Sequence, residues 1–487
     1  MKATRVLADV LERQADGRAE ALAVRFAGRD HSYGELAARS GLAAARLWRE
    51  AGVRPGDRVA YLGLNHVDQL SLLFGLARIG AMLVPLNFRL APPEWDAVLA
   101  DCTPRCVLHD EAWREAAQSL ARRHGVSAQG VGALAQEEAL QGALTPDHAT
   151  PEAPVLLVYT SGTTGRPKGA VHTQANLLAN MAAAQAVQGL TAADLIATVL
   201  PLFHVGGLCI QTLPALHAGA GVILHPRFEP GATLACLGDE RPTLTLQVPA
   251  TMKALAEHPD WPSTDLSGLR AVWAGSSTLP RALVDAFQAR GVPLCNVYGA
   301  TETGPFSIAL PPAQAFSHVG SCGWPAPGVQ ARLSNVAQGV GEVLLRGPNV
   351  VRHYWPEQPA LDAEGWFHSG DLGRQAADGS YSIVGRAKDM IISGGENIYP
   401  AEIENLLAEH PAVAECAVLG LADAQWGEAV VAALVLRPGQ AADDDVLAAF
   451  LGERLARYKL PRRYVRLDAL PKTALGKVQK AVLLPRL

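Results

Sequence analysis

The segment Tyr159-Thr-Ser-Gly-Thr-Thr-Gly-Arg-Pro-Lys-Gly169 places hydroxyls, glycines and a lysine next to one another directly after an apolar run. Thr160, Ser161, Thr163 and Thr164 can donate O–H bonds. Gly162, Gly165 and Gly169 let backbone N–H groups close on a ligand, and Lys168 adds a point charge. Together they suit a polyphosphate. A Walker loop is excluded, because that motif needs Gly-Lys followed by Ser or Thr, whereas Pro167 precedes this lysine and Gly169-Ala170 follow it. Other groups with chemical potential lie downstream: Gly275-Ser276-Ser277, Tyr298-Gly-Ala-Thr301-Glu302, Asp371, Arg386 and Lys477. Alone, each has an ordinary reading: a linker, a solvated carboxylate, a turn aspartate or a surface lysine.

The elements around these residues decide which reading holds. Val155-Leu-Leu-Val-Tyr159 is a short apolar run bounded by Pro154, which predicts a strand leading into the glycine-rich loop. Ala170-Val-His172 then pairs back, and Thr173 caps a helix beginning at Gln174. Between about residues 30 and 110, strands such as Arg58-Val-Ala-Tyr-Leu62 and Ala81-Met-Leu-Val-Pro-Leu86 alternate with helical patterns such as the one from Ser32. Strand, helix, strand, helix, strand follows over Leu244–Val248, Pro249–Leu255, Leu269–Ala274, Pro280–Arg290 and Leu294–Tyr298, which predicts a parallel sheet. Ligands of such sheets gather at the carboxyl ends of the strands, where Gly275-Ser-Ser277 and Tyr298–Glu302 fall. Short strands and turns from Gly320 to Gly385 predict a β-rich lobe. A boundary at Arg386–Asp389 precedes an α+β remainder with a helix at Pro400–Glu409, strands near Val413–Leu419 and Val430–Leu436, and a helix over Asp443–Tyr458.

The expected fold is therefore α/β: a large N-terminal domain of layered α/β subdomains with a small β-rich lobe (1–386), and a small mobile α+β C-terminal domain (387–487). A length of 487 residues calls for more than one domain, and a hydrophobic share of 49% supplies the cores. The formal charge of −5 is not gathered into blocks, which argues against a nucleic-acid groove or a polybasic membrane patch. The seven scattered cysteines lack CxxC pairing and read as reduced thiols of a cytoplasmic protein. Neither a secretion leader nor a transmembrane segment is expected. A homodimer is compatible with this composition, which does not set the oligomeric state.

Five motifs in fixed order make the chain resemble the adenylate-forming superfamily, specifically acyl-CoA synthetases of the fatty-acyl-CoA and feruloyl-CoA ligase type. They are Tyr159–Gly169, Pro201-Leu-Phe-His-Val205, Tyr298-Gly-Ala-Thr-Glu302, Gly365-Trp-Phe-His-Ser-Gly-Asp-Leu372 with Gly385-Arg-Ala-Lys-Asp389, and Pro471-Lys-Thr-Ala-Leu-Gly-Lys477. The resemblance implies an ATP-dependent ligase that joins a carboxylic acid to AMP, releases pyrophosphate and passes the acyl group to coenzyme A. A ligase loading a carrier protein is the alternative acceptor reading.

The same resemblance implies roles for individual residues. Glu302 would hold Mg2+, Thr301 the α-phosphate, and Tyr298 the adenine, with Gly275, Ser276, Asn296 and Gly299 completing the nucleotide contacts. Asp371 would clamp the ribose with Arg386 assisting, and Lys477 would bridge the substrate carboxylate to the α-phosphate. Lys388 would be the hinge on which the small domain turns. Gly395, in Gly395-Glu-Asn-Ile-Tyr-Pro400, would line the pantetheine tunnel, although Ile391–Asn397 lacks the lysines of luciferase-like and coumarate-ligase-like members. His204 would sit where acid and nucleotide meet; a histidine there disfavours an α-amino acid. The residues expected around the acid, His204, Val205, Trp273, Ala274, Gly275, Gly299 and Phe306, suit a hydrophobic tail or an aromatic ring. Lys253 is the only cation in Val248–Leu255 that could meet a second carboxylate.

Overall fold

Met82-Leu-Val-Pro-Leu86 is buried at every position, as a central parallel strand covered on both faces must be. It lies in an eight-stranded sheet beside Arg58–Leu62 and Pro154–Ser161, with Cys106–His109 and Ser127–Gly130 continuing parallel beyond. The computed structural model describes residues 4–135, 147–161, 167–275, 279–393, 396–423, 425–473 and 476–487. A second sheet of nine strands carries Leu195–Thr198, Leu244–Gln247, Ala271–Ala274 and Leu294–Tyr298 as parallel neighbours. Helices Tyr33–Arg49, Val67–Ile79 and Gln174–Gln188 contribute to one apolar core with residues of both sheets, among them Leu83, Leu156, Ile196 and Trp273. That layering brings the carboxyl ends of the strands, and the loops after them, into one region.

Local chemistry accounts for the helix starts nearest the site. Ser32 accepts from the Glu35 N–H ahead of Tyr33–Arg49. Thr173 and Asn176 exchange bonds of 3.1 and 3.0 Å, a reciprocal cap for Gln174–Gln188. The latter helix also buries Gln174, Asn176, Asn180 and Gln188, and its amides bond to backbone far away in sequence. Asn180 donates to Cys209 O at 2.7 Å and accepts from the Phe306 N–H at 2.8 Å.

A four-stranded antiparallel sheet (Gln330–Ala337, Val340–Arg346, Phe367–Gln375, Tyr381–Arg386) forms the β-rich lobe. The turn Ala387–Asp389 follows it, and the last part of the chain builds a separate sheet around Val413–Asp423 and Gly427–Leu436 with its own apolar cluster. The helix expected over Asp443–Tyr458 is shorter: it runs Asp444–Gly452, and a separate 3-10 turn covers Arg457–Lys459. Gly452, a poor helix former, ends the first, and Leu455 and Leu460 leave helical spacing to pack on the small-domain core. All seven cysteines are unpaired. No helix among the described residues is long and apolar enough to cross a membrane.

Burial also sets an acid limit on this fold. His172, fully buried, and His217 each have their imidazole pKa lowered to about 4, in both cases mainly through desolvation. The unfolded chain takes up these protons near pH 6.5, whereas the folded one resists them until about pH 4. The stability these groups contribute is therefore present above pH 6.5 and lost as pH falls toward 4. Melting temperature should hold steady from pH 8 to 7 and drop through the window below 6.5; a flat profile down to pH 4.5 would contradict this.

Candidate active site

Tyr298 ends the strand Leu294–Tyr298, and its Oη donates to Asp371 Oδ2 at 2.8 Å. The other oxygen, Asp371 Oδ1, takes Arg386 Nε at 2.7 Å. Asp371 and Arg386 also face each other across the antiparallel ladder, so backbone register alone brings them together. Burial raises the Asp371 carboxyl above its ordinary range, while Arg386, Tyr298 and Lys477 pull it back down.

Lys477 belongs to the same charge cluster although it lies in the C-terminal part of the chain. Its side chain still touches solvent, yet neighbouring protein lowers its ammonium pKa, with desolvation the largest cause. The charge of Arg386 pushes in the same direction, and Asp371 and Asp389 oppose it. Its turn is closed by Gly476 N–H to Thr473 O at 2.8 Å and Thr473 N–H to Lys477 O at 2.7 Å. A helix of the large domain, Pro249–Ala256, receives this small-domain face. A β-carbon on Gly476 would stand 3.0 Å from Ala250 Cβ, Lys253 Nζ donates to Ala414 O at 3.2 Å, and Arg437 lies 3.7 Å from Glu257. Lys253 thus holds the small domain and is engaged away from any second carboxylate of a substrate.

Glu302 is half-buried in the one-turn helix Thr301–Thr303. Its Oε1 accepts from Tyr354 Oη at 2.8 Å. Tyr354 also offers its ring to Lys168, whose Nζ lies 5.3 Å from the centroid, so the glycine-rich loop and Glu302 meet at one aromatic side chain. Thr160 Oγ1 donates to Lys168 O at 3.3 Å across the hairpin that carries the loop. Gly162, Thr163, Thr164, Gly165, Ser276 and Gly395 lie outside the described residues, as does the side chain of Ser161.

Gly275 and Gly299 are required by close approach. A β-carbon at Gly275 would meet Val297 O at 2.7 Å, and one at Gly299 would sit 1.8 Å from Pro305 O. Gly299→Ala must therefore displace the Tyr298–Pro305 loop. Overpacking of this kind costs about 1–3 kcal/mol, and an ångström of misplacement costs catalysis about a hundredfold. The expected result is a lowered melting point with pyrophosphate exchange reduced at least that much. Wild-type exchange in the variant would show that the loop does not position the nucleotide.

Of the residues expected around the acid, Trp273 and Phe306 are fully buried in the main core with ring centroids 5.6 Å apart. Ala274 does not join them. Strand alternation turns it to the opposite face of the sheet, into the cluster with Met252 and Phe287. His204 is half-buried beside Phe203, and its imidazole pKa is lowered to about 4, by burial first and then by the charge of Arg89. It is neutral at physiological pH and can accept a hydrogen bond. After it the chain winds as a π-helix over Gly206–Thr212, a rare geometry that accompanies functional sites. Asn296 donates to Cys322 Sγ at 3.2 Å, and Lys388 is exposed on the Ala387–Asp389 turn. Two residues that sequence reasoning passed over are Tyr354, which links Glu302 to Lys168, and Asn180, which ties the π-helix to the Phe306 loop. A pair of asparagines four apart in an otherwise alanine-rich helix is the signal that points to Asn180.

Residues 11–355 match the family described as AMP-binding enzyme, and residues 402–477 match the AMP-binding enzyme C-terminal domain. This chain belongs to the AMP-binding enzyme family. Among its relatives, an indoleacetate–CoA ligase of Aromatoleum aromaticum is 44% identical, covering 97% of this chain and 96% of that protein. A feruloyl-CoA synthase of an Amycolatopsis species is 42% identical over 96% of each chain. The O-succinylbenzoate coenzyme A synthetase of Bacillus subtilis, solved in complex with ATP and magnesium ion, superposes with a TM-score of 0.87 at 30% identity and covers 98% of this chain and 99% of that one. The family's two parts fall on either side of the Ala387–Asp389 turn.

Proposed function

We propose that this member of the family is an ATP-dependent acid–CoA ligase. It would activate a hydrophobic carboxylic acid, most fittingly an aromatic one, as acyl-AMP with release of pyrophosphate, and pass the acyl group to coenzyme A. The observation that carries the reading is Lys477 standing in the Asp371–Arg386 charge cluster, where a carboxylate and an α-phosphate would both need a cation. The aromatic preference rests on Trp273 and Phe306 and on the acids named for the 42–44% identical relatives.

In this reading the acid's carboxylate oxygen forms a bond to the α-phosphorus and the bond to pyrophosphate breaks. Two anions must approach, so Lys477 and Thr301 would stabilise charge at the α-phosphate, and Thr160, Ser161, Gly162, Thr163, Thr164, Gly165 and Lys168 would grip the departing phosphates. Asp371 and Arg386 would hold the ribose, and Tyr298, Gly275, Ser276, Asn296 and Gly299 the adenine side. Neutral His204 would sit beside the carboxylate, its ring N–H able to donate a hydrogen bond to it. Glu302 keeps one oxygen free of Tyr354, and no group of three His, Cys, Asp or Glu gathers among the described residues. One carboxylate with phosphates and water fits Mg2+, which when bound would neutralise the pyrophosphate. The second half-reaction would follow rotation of residues 387–487 about Lys388, bringing Gly395 to the thiol.

The test is a panel of acids, from octanoate and palmitate to benzoate, ferulate and indole-3-acetate, scored by pyrophosphate release and coenzyme A consumption. Aromatic members should be turned over with both readouts in step. Failure of every acid to release pyrophosphate would overturn the ligase reading. Turnover of fatty acids alone would overturn the aromatic one, and thioester on a carrier protein with none on free coenzyme A would overturn the acceptor.

A further inference from the structure

Residues 347–355 run as a strap between two parts of the site, and its attachments can be followed bond by bond. At one end the buried side chain of Asn176 donates from Nδ2 to Pro348 O at 2.7 Å and to Val350 O at 3.2 Å. Its Oδ1 accepts from the N–H and the hydroxyl of Thr173, where the strand that follows the glycine-rich loop ends. At the other end Tyr354 pairs with Ala170 of that same strand, and the Trp355 N–H donates to Gly169 O at 2.7 Å. The strap is thereby tied at both ends to the hairpin that carries Lys168.

Between those ties the strap bears on the turn that carries Glu302. Thr301–Thr303 is a single 3-10 turn closed by the Thr303 N–H to Ala300 O at 3.0 Å, too short to fix its own place, which is set from outside. The Val351 N–H donates to Glu302 O at 2.8 Å, and Asn349 Nδ2 donates to Thr303 O at 2.5 Å. Nδ2 also reaches Ser307 Oγ at 3.3 Å, and that hydroxyl turns its proton to Thr303 O at 3.4 Å. A carbonyl only accepts, so the amide has one orientation, nitrogen toward the turn. Its Oδ1 faces Gly347, where a β-carbon would stand 2.6 Å away, and has no hydrogen-bond partner among the described residues, so the amide is kept for its donor end. Asn349 is 1% exposed and Thr303 and Ser307 are sealed, which keeps bulk water from replacing that donor.

We infer that Asn349 is a positioning residue for adenylation: its amide fixes the backbone of Thr301–Thr303 and so the place at which Glu302 meets the metal, a role that rests on the Mg2+ reading of Glu302 given above. Tyr354 orients the carboxylate from the side-chain end, at 2.8 Å, and Asn349 holds the backbone beneath it. Through Asn176 the same strap refers that position to the hairpin of Lys168, so the metal ligand and the phosphate grip keep one spacing. Groups that orient a metal ligand without touching the metal are worth about 10–100-fold in metal affinity or activity.

Calorimetry of ATP binding to the full-length enzyme, without acid and with either Mg2+ or EDTA present, tests this. Mg2+ should tighten ATP binding in wild type, and Glu302→Gln should abolish that gain. Asn349→Leu, which keeps the shape and removes the donor, should cut the gain by about tenfold or more while ATP binding in EDTA stays within about threefold of wild type. Its pyrophosphate release should slow by about ten- to a hundredfold, while thioester formation from saturating acyl-AMP, which carries no pyrophosphate to neutralise, stays within about threefold. Equal weakening with and without Mg2+, or equal slowing of both steps, would make Asn349 a structural residue and overturn the inference. A gain that survives in Glu302→Gln would overturn the metal role of Glu302, and the role of Asn349 with it. Should Asn349→Leu fail to fold, Asn176→Ala decides, because it frees Pro348 O and Val350 O and leaves the Asn349 amide in place. A gain cut by more than about threefold in that variant supports the strap, and a smaller change overturns it.

Discussion

Lys477→Ala is expected to abolish measurable acyl-adenylate formation while leaving transfer from supplied acyl-AMP to coenzyme A largely intact. The lysine lies in the charge cluster of Asp371 and Arg386, where desolvation by neighbouring protein and the nearby guanidinium already lower its pKa although its side chain reaches solvent. Removing one preorganised donor from a developing charge costs about 10²–10³ in rate. Loss of a full positive charge between two anions belongs at the upper end of that range. Single-turnover assays separate the steps: pyrophosphate release reports the first, and thioester formation from synthetic acyl-AMP reports the second. Adenylation at the wild-type rate would remove Lys477 from the site, and equal loss of both steps would make its role structural.

The second large effect concerns Lys388. Ala387–Asp389 forms a single 3-10 turn between Tyr381–Arg386, the last strand of the β-lobe, and Ile391–Ser393, the first strand of the small-domain sheet. Proline at 388 would lock its own φ and restrict Ala387 as well. Lys388→Pro is therefore expected to keep adenylation within a few-fold of wild type while lowering thioester formation by on the order of a hundredfold, the cost of an acyl group that the thiol cannot reach. The same two assays read it. Parallel loss in both would mean that the turn is only a connector.

Much of this was legible in the chain because apolar runs and sheet-end loops are local signals. Leu294–Tyr298 and Pro400–Glu409 occur with the expected bounds, and the Asp371–Arg386 pairing follows from motifs that a short hairpin brings together. What could not be read depends on facing direction or on distant partners. Ala274 sits within the expected strand but on its other face, and the extended helix expected after Asp443 is ended by Gly452 and by tertiary packing. Tyr354 is fifty-two residues from Glu302, and Asn180 is 126 from Phe306. Neither partnership leaves a periodic trace, because each depends on how two loops close over a shared core.

Gly299 and Gly206 set the two ends of the site apart. At Gly299 even one added carbon collides with Pro305 O, whereas beside Gly206 the space is open and the backbone is wound in its loosest helical form. Change at the first position is lethal to the loop; change at the second is cheap. A lineage built on this scaffold can therefore exchange one acid for another by drift at Gly206 while its hold on the nucleotide stays frozen, so new substrates arise without the chemistry being reinvented.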